Sequence, residues 1–321
     1  MKRSFFSLLL CVVASAFCTP AISQSYPSQS IQLVVPFPPG ASTDLLARFI
    51  GPKLSEALGQ PVVVENRSGA GGLIGAAYVA KSKPDGHTLL VASSTVLQSP
   101  LLQIKPAFDP VKDFAPIAAA FQHPFLMAST GNLPPRDLPE LLSYAKSNPG
   151  VLNAASLGGF SDAISQMFKN AAGIDIQIVP YRGGSEAMIG VIRGDAHLVF
   201  NPYAAMRSQL QSGQLKAMAV SSLKRSPAIP DVPTFAESGM PGFEIINVVG
   251  LLAPAGTPDP ILKRLNAEIA RIITAPEGKE FILSSGNDTI TDLSPAYYAS
   301  LIRAADDKYR VVIDRIGIKK Q

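Results

Sequence analysis

Apolar and polar positions along the chain alternate between a strand-like and a helix-like period. Ile31-Gln32-Leu33-Val34-Val35-Pro36 is short, apolar and partly β-branched, which reads as a strand running into the Pro-rich loop 36–40. Behind it, Leu45, Leu46, Phe49, Leu54 and Leu58 recur at helical spacing, with Ser42, Thr43 and Asp44 as helix-starting types. Gly51-Pro52 sits inside this helix and is expected to kink or interrupt it. Residues 61–65 read as a second strand, 75–83 as a helix, Pro84-Asp85-Gly86 as a turn and 87–93 as a third strand. After about residue 125 the alternation resumes, with helices expected at 137–147, 161–172 and 185–193 and strands at 153–156, 176–181, 196–200 and 216–221. An apolar extended stretch at 243–253 and helices at 260–274 and 297–313 close the chain. Such alternation implies an α/β fold of mainly parallel sheets flanked by helices, and 321 residues are enough for two domains.

Composition narrows the classes. With 47% hydrophobic and 16% charged residues the chain is too apolar to be disordered. Met1-Lys2-Arg3 is basic, residues 4–17 are apolar, and Ala21-Ile22-Ser23 places small residues where a signal peptidase reads, so residues 1–23 are expected to be a secretory signal peptide. Both cysteines, Cys11 and Cys18, fall in that segment, which removes disulfides, zinc thiolates and cysteine nucleophiles from the mature chain. A lipoprotein signal needs a small residue before Cys18, where Phe17 stands. Losing Lys2 and Arg3 lowers the net charge from +4 to +2, so nucleic acid is not an expected partner. No later stretch is long enough to span a membrane.

The catalytic and cofactor motifs fail on spacing. Gly69-Ala70-Gly71-Gly72-Leu73-Ile74-Gly75 follows a strand, but a dinucleotide fingerprint requires glycine where Ile74 stands. It reads as a loop that lets a helix pack close to the sheet. Ser161 and Ser185 each lack the closing glycine of a nucleophile elbow. His87, His123 and His197 are isolated and read as structural, with no metal-ligand spacing, and Asp306-Asp307 reads as a solvated surface pair. No cofactor, metal or enzymatic activity is expected.

A different pattern remains. Small-residue loops follow four strands: Gly40-Ala41-Ser42-Thr43, Ser93-Ser94-Thr95, Ser156-Leu157-Gly158-Gly159 and Gly183-Gly184-Ser185. One such loop would be a tight turn. Repeated at strand carboxyl ends, three of the four before helices with free N–H groups and positive dipole ends, they suit reversible binding of a carboxylate.

At these residues the chain resembles the Bug family, the periplasmic solute receptors of tripartite tricarboxylate transporters. The likeness runs through Tyr26-Pro27, the 31–40 block, Gln60-Pro61-Val62-Val63-Val64-Glu65-Asn66-Arg67, Gly69-Ala70-Gly71-Gly72 and Lys83-Pro84-Asp85-Gly86. It continues in Val179-Pro180-Tyr181-Arg182-Gly183-Gly184, Asp231-Val232-Pro233-Thr234 and Gly250-Leu251-Leu252-Ala253-Pro254-Ala255-Gly256-Thr257-Pro258. The resemblance implies a periplasmic flytrap of two α/β lobes, the first made of 24–125 plus 246–321 and the second of 126–245. It implies a monomer that binds a small organic carboxylate and passes it to the membrane subunits of a secondary transporter. A sensor feeding a histidine kinase, or an exported enzyme, are the alternatives. By position it implicates Phe37, Gly40, Ala41, Ser42, Asp44, Ser93, Ser94 and Thr95 in the first lobe. In the second lobe it implicates Ser156, Gly158, Gly159, Ser161, Gly184, Ser185 and Asn201, with Asn247 at the return. The chain departs from the family at Ala41, usually Gly, at Asp162, often His, at Asn201, commonly Asp, and at Asn247, often an aromatic. These changes imply a less aromatic pocket wall.

Overall fold

The computed structural model describes residues 26–156, 159–181, 184–318 and 320. The expected signal peptide, with Cys11 and Cys18, lies outside them. Two sheets form around separate cores.

The first sheet begins with β1 (Ile31–Val35), the helix α1 (Ser42–Leu58), β2 (Val62–Asn66), α2 (Leu73–Ala80), β3 (Thr88–Ser93) and the short α3 (Ser94–Gln98), which runs into a 3-10 turn, Ser99–Leu102. β1, β2 and β3 pair in parallel with Leu33 opposite both Val64 and Leu89. The expected interruption at Gly51-Pro52 does not occur, and α1 continues through Pro52. Leu46, Ile50 and Leu54 are buried on one face of it, and their burial offsets the roughly 3 kcal/mol that an internal proline costs.

Next come β4 (Phe114–Pro124) and β5 (Leu126–Thr130), two strands that local periodicity does not announce. β4 completes the first sheet and β5 starts the second, with only Phe125 between them. The second sheet then fills with α4 (Leu138–Ser147), β6 (Leu152–Ser156), α5 (Phe160–Ala172), β7 (Ile176–Pro180), α6 (Gly184–Arg193), β8 (Leu198–Asn201), α7 (Tyr203–Gln211) and β9 (Leu215–Val220). β10 (Ile246–Pro254) returns to the first sheet and lies antiparallel between β3 and β4. α8 (Asp259–Thr274), α9 (Pro276–Ser284), β11 (Asp288–Thr289) and α10 (Pro295–Ile316) finish the chain. The strand orders are β11-β4-β10-β3-β1-β2 and β7-β6-β8-β5-β9. Both sheets are therefore mixed: the strands that cross between them bring antiparallel pairs to otherwise parallel α/β layers.

The first core gathers Leu33, Leu90, Val249, Leu251 and Ile269, and the second is built on the rings of Phe168, Phe200, Phe235 and Phe243. α10 serves both, laying Tyr298 and Ile302 on the first core and Tyr309 and Ile313 on the second. Gly250 makes the first contact possible, since a Cβ there would stand 2.5 Å from the Ala118 carbonyl oxygen and 2.7 Å from the Tyr298 ring. Among the described residues no helix is long and apolar enough to cross a membrane.

A flytrap cleft between two lobes

The described residues of the four small-residue segments lie between strand carboxyl ends and the starts of α1, α3, α5 and α6. The cap positions of the first three, Ala41, Ser93 and Gly159, provide no side-chain acceptor to the helix behind them. By contrast, Asp137 caps α4 and Ser294 caps α10. The first-turn N–H groups of α1 thus begin at an alanine that cannot cover them, with the positive end of a 17-residue helix behind.

Asp44 shapes this loop. Its carboxylate is buried and accepts from the Gly40 N–H at 2.9 Å, from Arg48 Nε at 2.9 Å and from Asn66 Nδ2 at 2.9 Å. Asn66 Nδ2 also donates to the Phe37 carbonyl at 3.0 Å, and Asn66 Oδ1 accepts from Arg48 at 3.1 Å. Burial pushes the Asp44 carboxyl up, but the bonds from Arg48, Gly40 and Asn66 and the Arg48 charge outweigh it and hold the group below its ordinary value. Asp44 therefore clamps the loop and has its charge compensated there. Phe37 packs against the first core, while Gly40 is exposed and Ala41 and Ser42 are half-buried.

Ser93 and Thr95 share a hydroxyl–hydroxyl bond of 2.7 Å, and Ser94 Oγ accepts from the Val248 N–H at 3.0 Å, tying the β3–α3 turn to β10. In the second sheet, the Ser156 hydroxyl donates to Asp162, one turn into α5, so the carboxylate that departs from the family sits at that helix start. Ser161 is half-buried beside it, Gly184 opens α6, and Asn201 ends β8 directly opposite Leu126. Gly158 and the Ser185 side chain lie outside the described residues.

The two sets of loops meet. The Phe160 N–H donates to Ser99 Oγ across the lobes at 3.2 Å. Gly159 has φ +58°, and a Cβ on it would stand 2.8 Å from Ser99 Oγ and 3.3 Å from the Gly71 Cα. The glycine loop before α2 therefore does what its spacing suggests and something more. Gly75 lets α2 approach the Arg67 carbonyl oxygen, to 2.7 Å from a built Cβ, and Gly71 reaches the other lobe.

Ser221 laces the crossovers. Its hydroxyl accepts from the Phe125 N–H at 2.8 Å and donates to the Ile245 carbonyl at 2.5 Å, and its backbone bonds both segments again at 2.9 Å. Beside it, His123 on β4 and Asn247 on β10 are a buried opposed pair joined at 3.0 Å. Arg48, Asn66, Ser99 and Ser221 were not legible as site residues, because each matters only through a partner distant in the chain. Two surface hollows, of about 490 and 370 Å³, lie instead at strand amino ends around Gln29, Lys81, Asp85 and His87, and hold none of the candidate residues. The carboxyl end of α2 points towards that side, which suits its lysines better than an anionic ligand.

Two α/β lobes, two short crossovers and facing turn–helix loops define a periplasmic-binding-protein fold. The family model described as "Tripartite tricarboxylate transporter family receptor" matches residues 46–318, and the chain belongs to that family. It is 32% identical over 290 residues to the protein BugT of Bordetella pertussis, covering 89% of each chain. Among solved structures it is similar to Rpa4515 of R. palustris with adipate, at 32% identity and TM-score 0.85, covering 92% of this chain and 99% of that one. It is also similar to MatC from Rhodopseudomonas palustris with bound malate, at 32% identity and TM-score 0.82, covering 90% and 100%.

Proposed function

We propose that this receptor is exported to the periplasm, binds a small organic carboxylate between its lobes as a monomer, and hands it to the membrane subunits of a tripartite transporter. The observation that carries the reading is the open amino end of α1 at Ala41, beside a buried Asp44 whose charge is already compensated. Such a site offers N–H groups and a positive dipole end without a residual negative charge. The adipate and malate held by the two R. palustris relatives support the same chemical class.

In this reading the lobes are 24–125 with 246–321, and 126–245. They swing about Phe125 and Ile245, the residues that Ser221 joins. Contacts from both lobes to one ligand are made only on closure, so ligand binding and closure are coupled. The candidate residues from Phe37 to Thr95 belong to one jaw, and those from Ser156 to Asn201 to the other.

A thermal-shift screen of mono-, di- and tricarboxylic acids on the mature protein tests the function. An acid present at 100 times its dissociation constant adds about 2.7 kcal/mol of stability, readily seen as a raised melting temperature. A flat response across the whole panel rejects the reading. Ser42→Trp locates the site. Ser42 makes no side-chain hydrogen bond among the described residues and is half-buried at the start of α1, so an indole there covers the N–H groups while disturbing little of the core. Binding by calorimetry is expected to fall at least about tenfold, equivalent to 1.4 kcal/mol, with the unliganded melting temperature nearly unchanged. Unaltered affinity would move the ligand away from this loop.

A further inference from the structure

The buried side of α10 is a stripe at helical spacing, Tyr298, Ile302, Asp306, Tyr309 and Ile313. Asp306 is its one charged member, and it stands where the stripe passes from one core to the other: Ile302 belongs to the first and Tyr309 to the second. Beyond Asp306 the helix is fastened to the second lobe. The Tyr309 ring meets Phe160 edge-on with centroids 4.7 Å apart, and Lys308 Nζ donates to the Glu244 carbonyl at 3.0 Å, next to the crossover residue Ile245. A swing of the lobes about Phe125 and Ile245 must therefore be taken up in α10 between Ile302 and Tyr309, the turn that holds Asp306.

At that turn the carboxylate is poorly served. Asp306 is 7% exposed. Its Oδ2 accepts from Arg310 Nη2 at 2.9 Å, but the Arg310 side chain is itself 56% exposed, and Asp306 Oδ1 is buried with no partner among the described residues. The surroundings of this stretch belong to both lobes: α10 packs on β4, α3 and the 99–102 turn of the first and on α5 of the second. In this structure the lobes touch, with Ser99 Oγ taking the Phe160 N–H and Leu101 seated in the second core. Parting them admits water to Oδ1, and closing them excludes it again.

We infer that Asp306 is a spring in the back of the flytrap, biasing the unliganded receptor towards the open form so that cargo is what holds the jaws shut. The inference rests on the lobe swing of the receptor reading and adds a residue that sets its equilibrium from outside the cleft. An apolar side chain at this position would complete the stripe and favour closure with or without cargo. A charged acceptor removed from water and left unmet opposes closure instead. Ligand contacts made from both jaws offset that opposition. The apparent affinity is then reduced by the fraction of receptor that is closed before binding, which leaves the cargo easier to release.

The test is the distance between the lobes, read by spin labels at Val63→Cys on β2 and Ile189→Cys on α6, both exposed; the mature chain is expected to carry no cysteine of its own. The labelled protein is compared without ligand as it stands, with Asp306→Leu and with Arg310→Leu. It is expected to populate an open form, and Asp306→Leu to lower the ratio of open to closed by about tenfold or more. Arg310→Leu strands the second oxygen as well and is expected to raise the ratio. Calorimetry with malate and adipate as probes should follow, Asp306→Leu binding more tightly and Arg310→Leu more weakly than the unaltered chain. If the pair were only a structural link, both variants would move the same way. Variants that move together, an unchanged ratio in Asp306→Leu, or an unaltered chain found only closed overturns the inference. Asp306→Leu should melt no lower than the unaltered chain, since it completes an apolar stripe, so failure to fold also counts against the spring. Absence of binding by both acids bears on the receptor reading alone, and the distances still decide the role of Asp306.

Discussion

Replacing the carboxylate of a bound ligand by a primary amide is expected to weaken binding more than about a hundredfold. In the proposed site the ligand faces the start of α1, whose cap residue supplies no side-chain acceptor, and the hydroxyls of the β3–α3 turn. Hydrogen bonds to an ionised acceptor contribute roughly 1.5–3 kcal/mol each, more than those to a neutral one. The amide abolishes the charge and turns one oxygen into an NH2 group that faces N–H donors. A loss of about 3 kcal/mol corresponds to just over a hundredfold in dissociation constant. The dependence on salt should be shallow, since the dipoles are local and the net charge is small. Calorimetry is the suitable measurement, because the chain contains no tryptophan to report binding by fluorescence. An amide that binds as well as the acid would show that the site does not recognise an anion.

Asp44→Ala is expected to cost about 3 kcal/mol of stability and to abolish ligand binding. The change deletes the acceptor of Gly40, Arg48 and Asn66 together and leaves their donors without it at the turn into α1. The loop from Phe37 to Ser42 then loses the clamp that presents its N–H groups. The pH dependence follows from the depressed pKa of Asp44. A carboxyl whose folded pKa lies below its unfolded value stabilises the fold fully above the unfolded value, near 3.9, and loses that contribution as the pH falls through the folded one. Denaturant unfolding should therefore give the full difference between the two proteins at pH 7 and a shrinking one on acidification below the ordinary carboxylate range. A variant as stable as the unaltered chain at pH 7 would deny Asp44 its clamping role.

Local sequence was enough for the α/β character, for most helices and for the small-residue turns between strands and helices. The helix faces were legible because burial recurs with the helical period, as with Leu265, Ile269 and Ile272 on α8. The small-residue loops were legible because glycine and hydroxyl residues cluster where strands end. β4 was not. Its centre, Ala118 to Ala120, has little strand preference and prolines flank it, yet all three are fully buried because β10 pairs along it while α8 and α10 cover it. Small side chains are needed there by neighbours more than 100 residues away in the chain, and no local period records that. The continuation of α1 through Pro52 has the same origin, since the core holds a helix that local propensity would break.

The site divides along the same line. Ser42, Ser94 and Gly159 could be placed in turns between strands and helices from sequence, because that position is a local property. The role of Asp44 could not, because a carboxylate near a helix start reads equally as cap, ligand contact or clamp until Asn66 and Arg48 arrive beside it. His123 reads as structural from sequence, but the bonds that fix its ring, to Pro124 and Asn247, arise only where β4 and β10 pair. Sequence by itself determined most of the strands, helices and small-residue turns, because those depend on chemistry within a few residues. The tertiary structure alone decided which polar atoms find a partner, because a hydrogen bond belongs to two positions and the chain brings them together only on folding.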